Sequence, residues 1–428
     1  MRECCHDMHS IISSHIPTFF RNNWDYLMYL TTEKDLADFC EQLRSSPTLA
    51  IDTEFVRERT YYHKLGLIQV SDGTHFAAID PIYISNLDPL LDLIRNHNTV
   101  KVFHAARQDL EILYRLCGEM IQPIFDTQIA AAVVGWGAQI SFAKIVNKVL
   151  GKKIDKSETY TDWCRRPLSE RQIEYALDDV RLLFPVYEDL KKVLKKLNRE
   201  EWLQGEFVKL EDPNTFQSPN LEKLYMRIKN IRTLAPKNFA IICELAQWRE
   251  KEAQDRDCLA KTIVRDESLL ELARKAPIDI EGLNCIRGLH KNEITRSNKN
   301  ILAAIQRGLK VPLDQIIKLP ELEIYKAPPG IEEILSALVQ IKAEKLNIEP
   351  SVLADRKKVN DFVKCFDQNS SIKNHPLFSG WRKKAIGDQL YLALSGKTAL
   401  AIGENGKLID FPIDSNLNKS TEKNSLLK

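Results

Sequence analysis

The spacing of apolar positions changes character along the chain. Between residues 25 and about 210, short apolar runs alternate with amphipathic ones. The runs TLAIDTEF (48–55), LGLIQVSD (65–72), HFAAID (75–80) and VKVFHA (100–105) are short and rich in residues that favour strands. Asp72-Gly73, between the second and third, reads as a hairpin turn. Helical spacing separates and follows these runs. Thr32 can cap a helix through Leu43, and Leu87 to Asn96 forms a second. Asp109 to Cys117 forms a third, stopped by Gly118, and Asp126-Thr127 opens one through Ala132. Ser169 and Glu170 open a further helix that runs through Asp189. Antiparallel strands followed by a parallel strand reached through a helix predict a mixed α/β sheet over 25–216.

After Pro219 the strand spacing disappears. Leu221, Leu224 and Ile228, then Ile241, Ile242, Leu245 and Trp248, then Leu269, Leu270 and Leu272 keep a helical period over 217–310. A second helical block occupies 311–403, joined to the first through KLPELEIYKAPPG. LAQWREKEA aligns with LVQIKAEKL, and NILAAIQRG with QLYLALSG, which predicts tandem small all-α domains. Residues 404–428 are polar and expected to form a mobile tail. Residues 1–24 read as a disordered extension, and its Cys4, Cys5, His6 and His9 as part of that extension rather than as a metal cluster. Met28 opens the cleaner segment MYLTTEKDL and is an alternative start.

Composition narrows the class. A hydrophobic fraction of 44% and a charged fraction of 28% suit an ordinary globular protein of two or three domains. No apolar run approaches the roughly 20 residues that span a membrane. Nine cysteines without CxxC spacing read as reduced thiols, so a cytoplasmic protein is expected. No obligate protein partner is evident and a monomer is expected. The formal net charge is only +2, but residues 217–310 hold 18 lysines and arginines against 12 acidic residues. A mildly basic region suits a polyanionic ligand. On charge alone, a solvated helical surface is the plainer reading.

The chemistry lies in acidic residues at unexpected places. Asp52 and Glu54 interrupt an apolar strand at i and i+2, so they share one face, roughly 7 Å apart. Asp109 follows the strand VKVFHA, five residues after His104. Tyr175 and Asp179 are four apart on a strongly helical segment and share a face about 6 Å apart, whereas Asp178 should face elsewhere. Each feature alone is ordinary: a solvent-facing strand end, a satisfied histidine, a surface pair. Together they set four carboxylates around one sheet end. Like charges raise one another's pKa, and hard divalent cations with oxygen ligands relieve that strain. Two such ions roughly 3.5–4 Å apart serve in-line displacement at phosphorus.

Asp52-Thr53-Glu54, His104-x-x-x-x-Asp109 and Tyr175-x-x-x-Asp179 resemble the three exonuclease motifs of the DEDD superfamily, in the version with tyrosine. EFVRERTYYHKLGLIQ, VFHAARQDLEIL, FDTQIAA and DWCRRPLSERQIEYALDDV resemble the ribonuclease D family. The helical blocks resemble HRDC domains, the second divergently. The resemblance spans about residues 28–400. His63 departs from it, standing where proline is expected, and reads as loop-facing. The resemblance implies a ribonuclease-H-like mixed five-stranded sheet followed by two HRDC-type domains. It implies a 3′–5′ exoribonuclease that uses two Mg²⁺ or Mn²⁺ ions, releases nucleoside 5′-monophosphates and acts on RNA, with tRNA precursors as the expected substrates. By that resemblance Asp52 holds both ions, Glu54 and Asp179 one, and Asp109 the other, while Tyr175 orients the attacking water. Thr53, Arg57, Tyr61 and His104 would contact the terminal nucleotide. Leu67 and Gln69 read as packing, and Asp126 as a helix cap. Arg227, Lys229 and Arg232 would meet RNA phosphates. Two rivals stand beside this reading: a DNA-directed 3′–5′ exonuclease, and a non-catalytic RNA-binding adaptor. DTEF does not match the DxDx[TV] motif of aspartyl phosphatases.

Overall fold

The run TLAIDTEFV becomes the central strand of a sheet, with its first four residues fully enclosed. The structure, a computed structural model, describes residues 28–413 except 58, 155–157, 159–160, 217–219, 317–324, 326 and 369–371. The N-terminal extension with its Cys4, Cys5, His6 and His9, the end of the chain and much of the 318–330 linker lie outside the described residues.

The strands are β1 (Tyr29–Leu30), β2 (Thr48–Val56), β3 (Lys64–Ser71), β4 (Phe76–Ile79), β5 (Val100–Phe103) and β6 (Ile124–Asp126), in spatial order β1-β4-β3-β2-β5-β6. β2, β3 and β4 run antiparallel, whereas β5 and β6 continue from β2 in parallel and β1 lies parallel to β4. The sheet is mixed, as expected, with six strands rather than five. β1 has only two residues, too few to show a period.

Among the described residues seven helices accompany the sheet: α1 (Glu33–Leu43), α2 (Asp88–Arg95), α3 (Arg107–Cys117), α4 (Thr127–Val133), α5 (Phe142–Leu150), α6 (Glu170–Leu197) and α7 (Glu200–Leu210). Thr32 caps α1, and Ser169 with Gln172 forms a reciprocal capping box on α6. α6 runs past the predicted Asp189 because Leu190 and Leu194 extend its buried stripe. It crosses β2, β3 and β4, which places its acidic face over the carboxylates of β2.

One irregularity shapes the site. Glu54 pairs with Leu67 but Phe55 pairs with Leu65, so Gly66 is an extra residue in β3, a bulge. A Cβ at Gly66 would stand 2.5 Å from the Trp163 carbonyl oxygen, so only glycine allows that backbone to pass. Arg166 fastens this crossing. It donates to the Gly66 carbonyl at 2.6 Å, to the Trp163 carbonyl at 2.7 Å and to both oxygens of Asp80 at 2.5 and 2.8 Å. Tyr29 also donates to Asp80. Burial alone would raise the Asp80 carboxyl, but these hydrogen bonds hold it below the usual range.

The helical region has two separate cores. The helical period at Leu221, Leu224 and Ile228 falls in short 3-10 turns over residues 221–238; Asn230 takes φ 60° and Pro236 opens a new turn. α8 (Phe239–Asp255), α9 (Ala260–Ile263), α10 (Asp266–Lys275), α11 (Ile280–Asn284) and α12 (Lys291–Lys310) then enclose Leu245, Leu272, Ile301 and Ile305. α13 (Ile331–Leu346), α14 (Pro350–Leu353), α15 (Arg356–Asp367), α16 (Gly380–Arg382) and α17 (Asp388–Leu394) enclose Leu338, Phe362 and Ile386. This second block is not purely helical. β7 (Thr398–Ile402) and β8 (Leu408–Pro412) pair as an antiparallel hairpin, which corrects the expected start of the tail at 404. The Asn405-Gly406 turn between them is the reason.

Each block is fastened to the sheet domain. The Tyr61 hydroxyl donates to Glu250 on α8 at 2.5 Å and accepts from Gln254, while the Tyr62 N–H donates to Asp257. Trp202 of α7 stacks on Trp381 of α16, with centroids 4.3 Å apart. Arg199 donates to the carbonyls of Val133 and Leu346, and Arg382 pairs with Glu206. Among the described residues no helix is long and apolar enough to cross a membrane.

Arg166→Met leaves the fully buried Asp80 without its cation. Breaking one side of a buried pair costs about 3–5 kcal/mol. The expected outcome is a loss of that size in urea unfolding of the sheet domain.

Candidate active site

Asp52 and Glu54 project from one face of β2, and α6 brings Asp179 over them. One carboxylate oxygen from each of the three lies within 4.8 Å of the others. Among the described residues this trio has the geometry of a cation site. All three remain partly exposed, so a ligand can reach them.

Asp109 is not part of that trio but borders it. It sits in the first turn of α3, where the helix N-terminus favours an anion, and is 7% exposed. The Thr53 hydroxyl donates to it at 2.5 Å. Thr53 was expected to meet the terminal nucleotide through its backbone N–H or its hydroxyl; the hydroxyl is engaged with Asp109. The turn that launches α3 is held by Asp126. Its carboxylate accepts from the Ala105 and Ala106 N–H groups at 3.2 and 2.9 Å, and from Gln128 and Ile129 as the cap of α4. Ala105 takes φ 60°, a left-handed conformation that needs such support. Asp126 is therefore the expected cap and also the brace behind Asp109, a role that sequence spacing does not reveal.

The electrostatics match the crowding. Burial, followed by the charges of Asp179 and Asp109, pushes the Glu54 carboxyl up to about 9. Burial and then Asp178 and Asp109 push Asp179 up to about 7. Burial outweighs the Thr53 hydrogen bond and pushes Asp109 up to about 7. Asp52, pressed by burial and by all three neighbours, is raised well above the usual carboxylate range. An all-oxygen, partly open, mutually repelling donor set fits hard divalent cations.

The remaining expectations divide. Tyr175 lies one turn before Asp179, with its ring against Trp163 at a centroid distance of 6.1 Å. Asp178 faces away, paired with Arg181 at 3.4 Å. Arg57 is exposed and bonds His63 at 3.0 Å, with Glu111 at 3.7 Å. His63 bonds Arg57 of the same β2–β3 connection; its side chain is nevertheless only 2% exposed and packs edge-on against Phe55. Tyr61 is drawn to Glu250 and Gln254 on α8. Both ring nitrogens of His104 lie within hydrogen-bond distance of protein atoms, Thr127 at 2.9 Å and the Ile140 carbonyl at 3.1 Å. Burial lowers its pKa. Gln69, read as packing, is fully enclosed beside Asp52 with both amide atoms lacking a partner. That arrangement costs about 1–3 kcal/mol. A polar amide inside the apolar run LIQV was the available signal.

Residues 27–195 match the 3′–5′ exonuclease family model and residues 238–305 the HRDC domain model. Sheet order, acidic cluster and match together define a 3′–5′ exonuclease with a ribonuclease-H-like fold and a C-terminal helical HRDC region. A ribonuclease D from Bartonella henselae is 36% identical over 392 residues, covering 90% of this chain and 95% of the relative. The ribonuclease D of Escherichia coli is 35% identical over 368 residues, covering 85% of this chain and 96% of its own. The crystal structure of the Escherichia coli enzyme, described as an exoribonuclease involved in structured RNA processing, superimposes with a TM-score of 0.76 at 33% identity. It covers 86% of this chain and 98% of that one. The chain belongs to the ribonuclease D family and is a 3′–5′ exoribonuclease.

The raised carboxyls carry a pH signature. Folded-state values above the unfolded ones mean that the native state holds protons the unfolded chain has released. In the metal-free protein the stability tied to these groups is full below about pH 4 and is lost as pH rises through about 7 and on to about 9. The thermal midpoint in EDTA should fall across that window, and saturating Mn²⁺ should reverse the fall. A midpoint that rises with pH in EDTA would contradict the cluster.

Proposed function

We propose that this enzyme trims tRNA precursors from their 3′ ends, with two divalent ions held by Asp52, Glu54, Asp109 and Asp179. The carrying observation is the Asp52, Glu54 and Asp179 trio, whose oxygens lie within 4.8 Å of one another. In this reading Asp52, Glu54 and Asp179 would hold the ions, with Asp109 supporting them from the edge of the trio. Divalent ions bound there acidify water and stabilise charge developing at phosphorus. The Tyr175 hydroxyl, braced by Trp163, accepts a hydrogen bond from the attacking water and sets its line of approach. Thr53 keeps Asp109 in place. The nucleoside 5′-monophosphate leaves, and the shortened chain presents its next 3′ end.

In the same reading residues 25–216 are the catalytic unit, and 217–310 and 311–403 are accessory units that grip structured RNA. The exposed Arg227, Lys229 and Arg232 line the start of the first and contribute phosphate contacts. The enzyme acts as a cytoplasmic monomer.

A 3′-extended tRNA precursor should be shortened in Mg²⁺ or Mn²⁺ and left intact in EDTA, while a matched DNA end is cut more slowly. Asp52→Ala, Glu54→Ala, Asp109→Ala and Asp179→Ala should each lower turnover by at least about 1,000-fold, on the scale of losing a transition-state charge stabiliser. Tyr175→Phe should lose about 100-fold or more yet bind Mn²⁺ like the parent. Near-normal turnover in any carboxylate variant overturns its role.

The combined Arg227→Ala, Lys229→Ala, Arg232→Ala variant should bind tRNA more weakly and less steeply with salt, by roughly 0.7 in log–log slope per lost phosphate contact. Cleavage of a short oligonucleotide should be unchanged.

A further inference from the structure

Gln69 stands directly opposite Asp52 across the β2–β3 ladder. Directly opposed residues of an antiparallel pair project from the same face, so Gln69 lies on the carboxylate side of the sheet, beneath α6. On its other side it pairs with Ala78 of β4. Leu67, Ala78, Trp163, Ala176 and Leu177 form the apolar cluster of this face. Gln69 itself is 0% exposed, and neither its Oε1 nor its Nε2 has a hydrogen-bond partner. A leucine would fill that volume without stranding two polar atoms. Across the ladder, Cβ atoms are about 4.5–5.5 Å apart, and the glutamine amide lies two carbons beyond its Cβ. The Asp52 carboxylate is the polar group of the residue that Gln69 faces across the β2–β3 ladder, so a turn of the glutamine side chain would bring its amide to it.

We propose that Gln69 is a positioning residue for Asp52: the two share no hydrogen bond in the metal-free structure, and when the cluster is loaded a turn of the Gln69 side chain would let its Nε2 donate to the Asp52 carboxylate and hold it in its ligating rotamer. The inference rests on the divalent-ion reading of the cluster. The hydrogen bond is charge-assisted once the carboxylate is ionised. Partners of ligating carboxylates typically change metal affinity or activity 10–100-fold when removed. Thr53 supplies the same kind of support to Asp109, so each of these two carboxylates would have its own neutral donor.

The test uses the full-length protein, Mn²⁺ as the probe, and Gln69→Leu and Gln69→Met as variants. Mn²⁺ binding is followed by calorimetry, melting by fluorescence in EDTA, and turnover as a function of Mn²⁺ concentration. The expected result is a metal-free melting temperature equal to or above the parent's. The Mn²⁺ dissociation constant should rise by about 10–100-fold, with a matching shift in the Mn²⁺ concentration for half-maximal turnover. Variants that bind Mn²⁺ like the parent overturn the proposal and leave the metal site standing. Metal-free melting lowered in both variants also overturns it, because the amide then serves packing. A parent protein that binds no Mn²⁺ overturns the divalent-ion reading itself.

Discussion

Repulsion among four carboxylates at one end of a sheet is the constraint around which this domain is arranged. Asp52, Glu54, Asp109 and Asp179 come from a strand and two different helices, and each meets the others in a largely enclosed space. Left to itself, such a cluster holds protons rather than charge. That makes it a poor ornament and a good receptor, because a divalent cation replaces protons and supplies the attraction that the apoprotein lacks. The fold must hold the groups together against their own repulsion, and much of the surrounding structure is devoted to that.

Three devices do so. The Gly66 bulge brings the Trp163 backbone against β3, and Arg166 locks the crossing by joining Gly66, Trp163 and Asp80. Trp163 then backs Tyr175. On the other side Asp126 gathers four N–H groups, fixes the left-handed turn at Ala105 and so sets the start of α3 under Asp109. Thr53 completes the frame from the strand. None of these residues needs to touch a substrate.

Much of this was legible in the chain because it is periodic. The i, i+2 spacing of Asp52 and Glu54 and the i, i+4 spacing of Tyr175 and Asp179 are local, and the elements carrying them formed where spacing placed them. What was not legible is long-range. The Thr53–Asp109 hydrogen bond joins positions 56 apart and Arg166–Asp80 positions 86 apart, and no local pattern encodes either. His104, which the resemblance implied as a nucleotide contact, stands in the nucleic-acid-free protein between Thr127 and the Ile140 carbonyl. Arg57 and Tyr61 likewise found protein partners. The β7–β8 hairpin was missed for another reason: the Asn405-Gly406 signal was present but lay in a stretch that composition marked as tail.

The path of the β2–β3 connection bears on how the helical region relates to the active site. Glu54 ends the acidic pair, the chain passes through Arg57, Tyr61 and His63, and it returns as β3 carrying Gln69 opposite Asp52. Within this excursion Tyr61 and Tyr62 are bonded to Glu250, Gln254 and Asp257 of the first helical block, and Arg115 of α3 lies over the Tyr62 ring at 3.6 Å. The same short connection therefore touches the strand bearing Asp52 and Glu54, the helix bearing Asp109 and the HRDC region. The second block uses different anchors on α7, the Trp202–Trp381 stack and the Glu206–Arg382 pair. The first block is thus bonded to the connection that joins the strand bearing Asp52 and Glu54 to β3, whereas the second is anchored on α7.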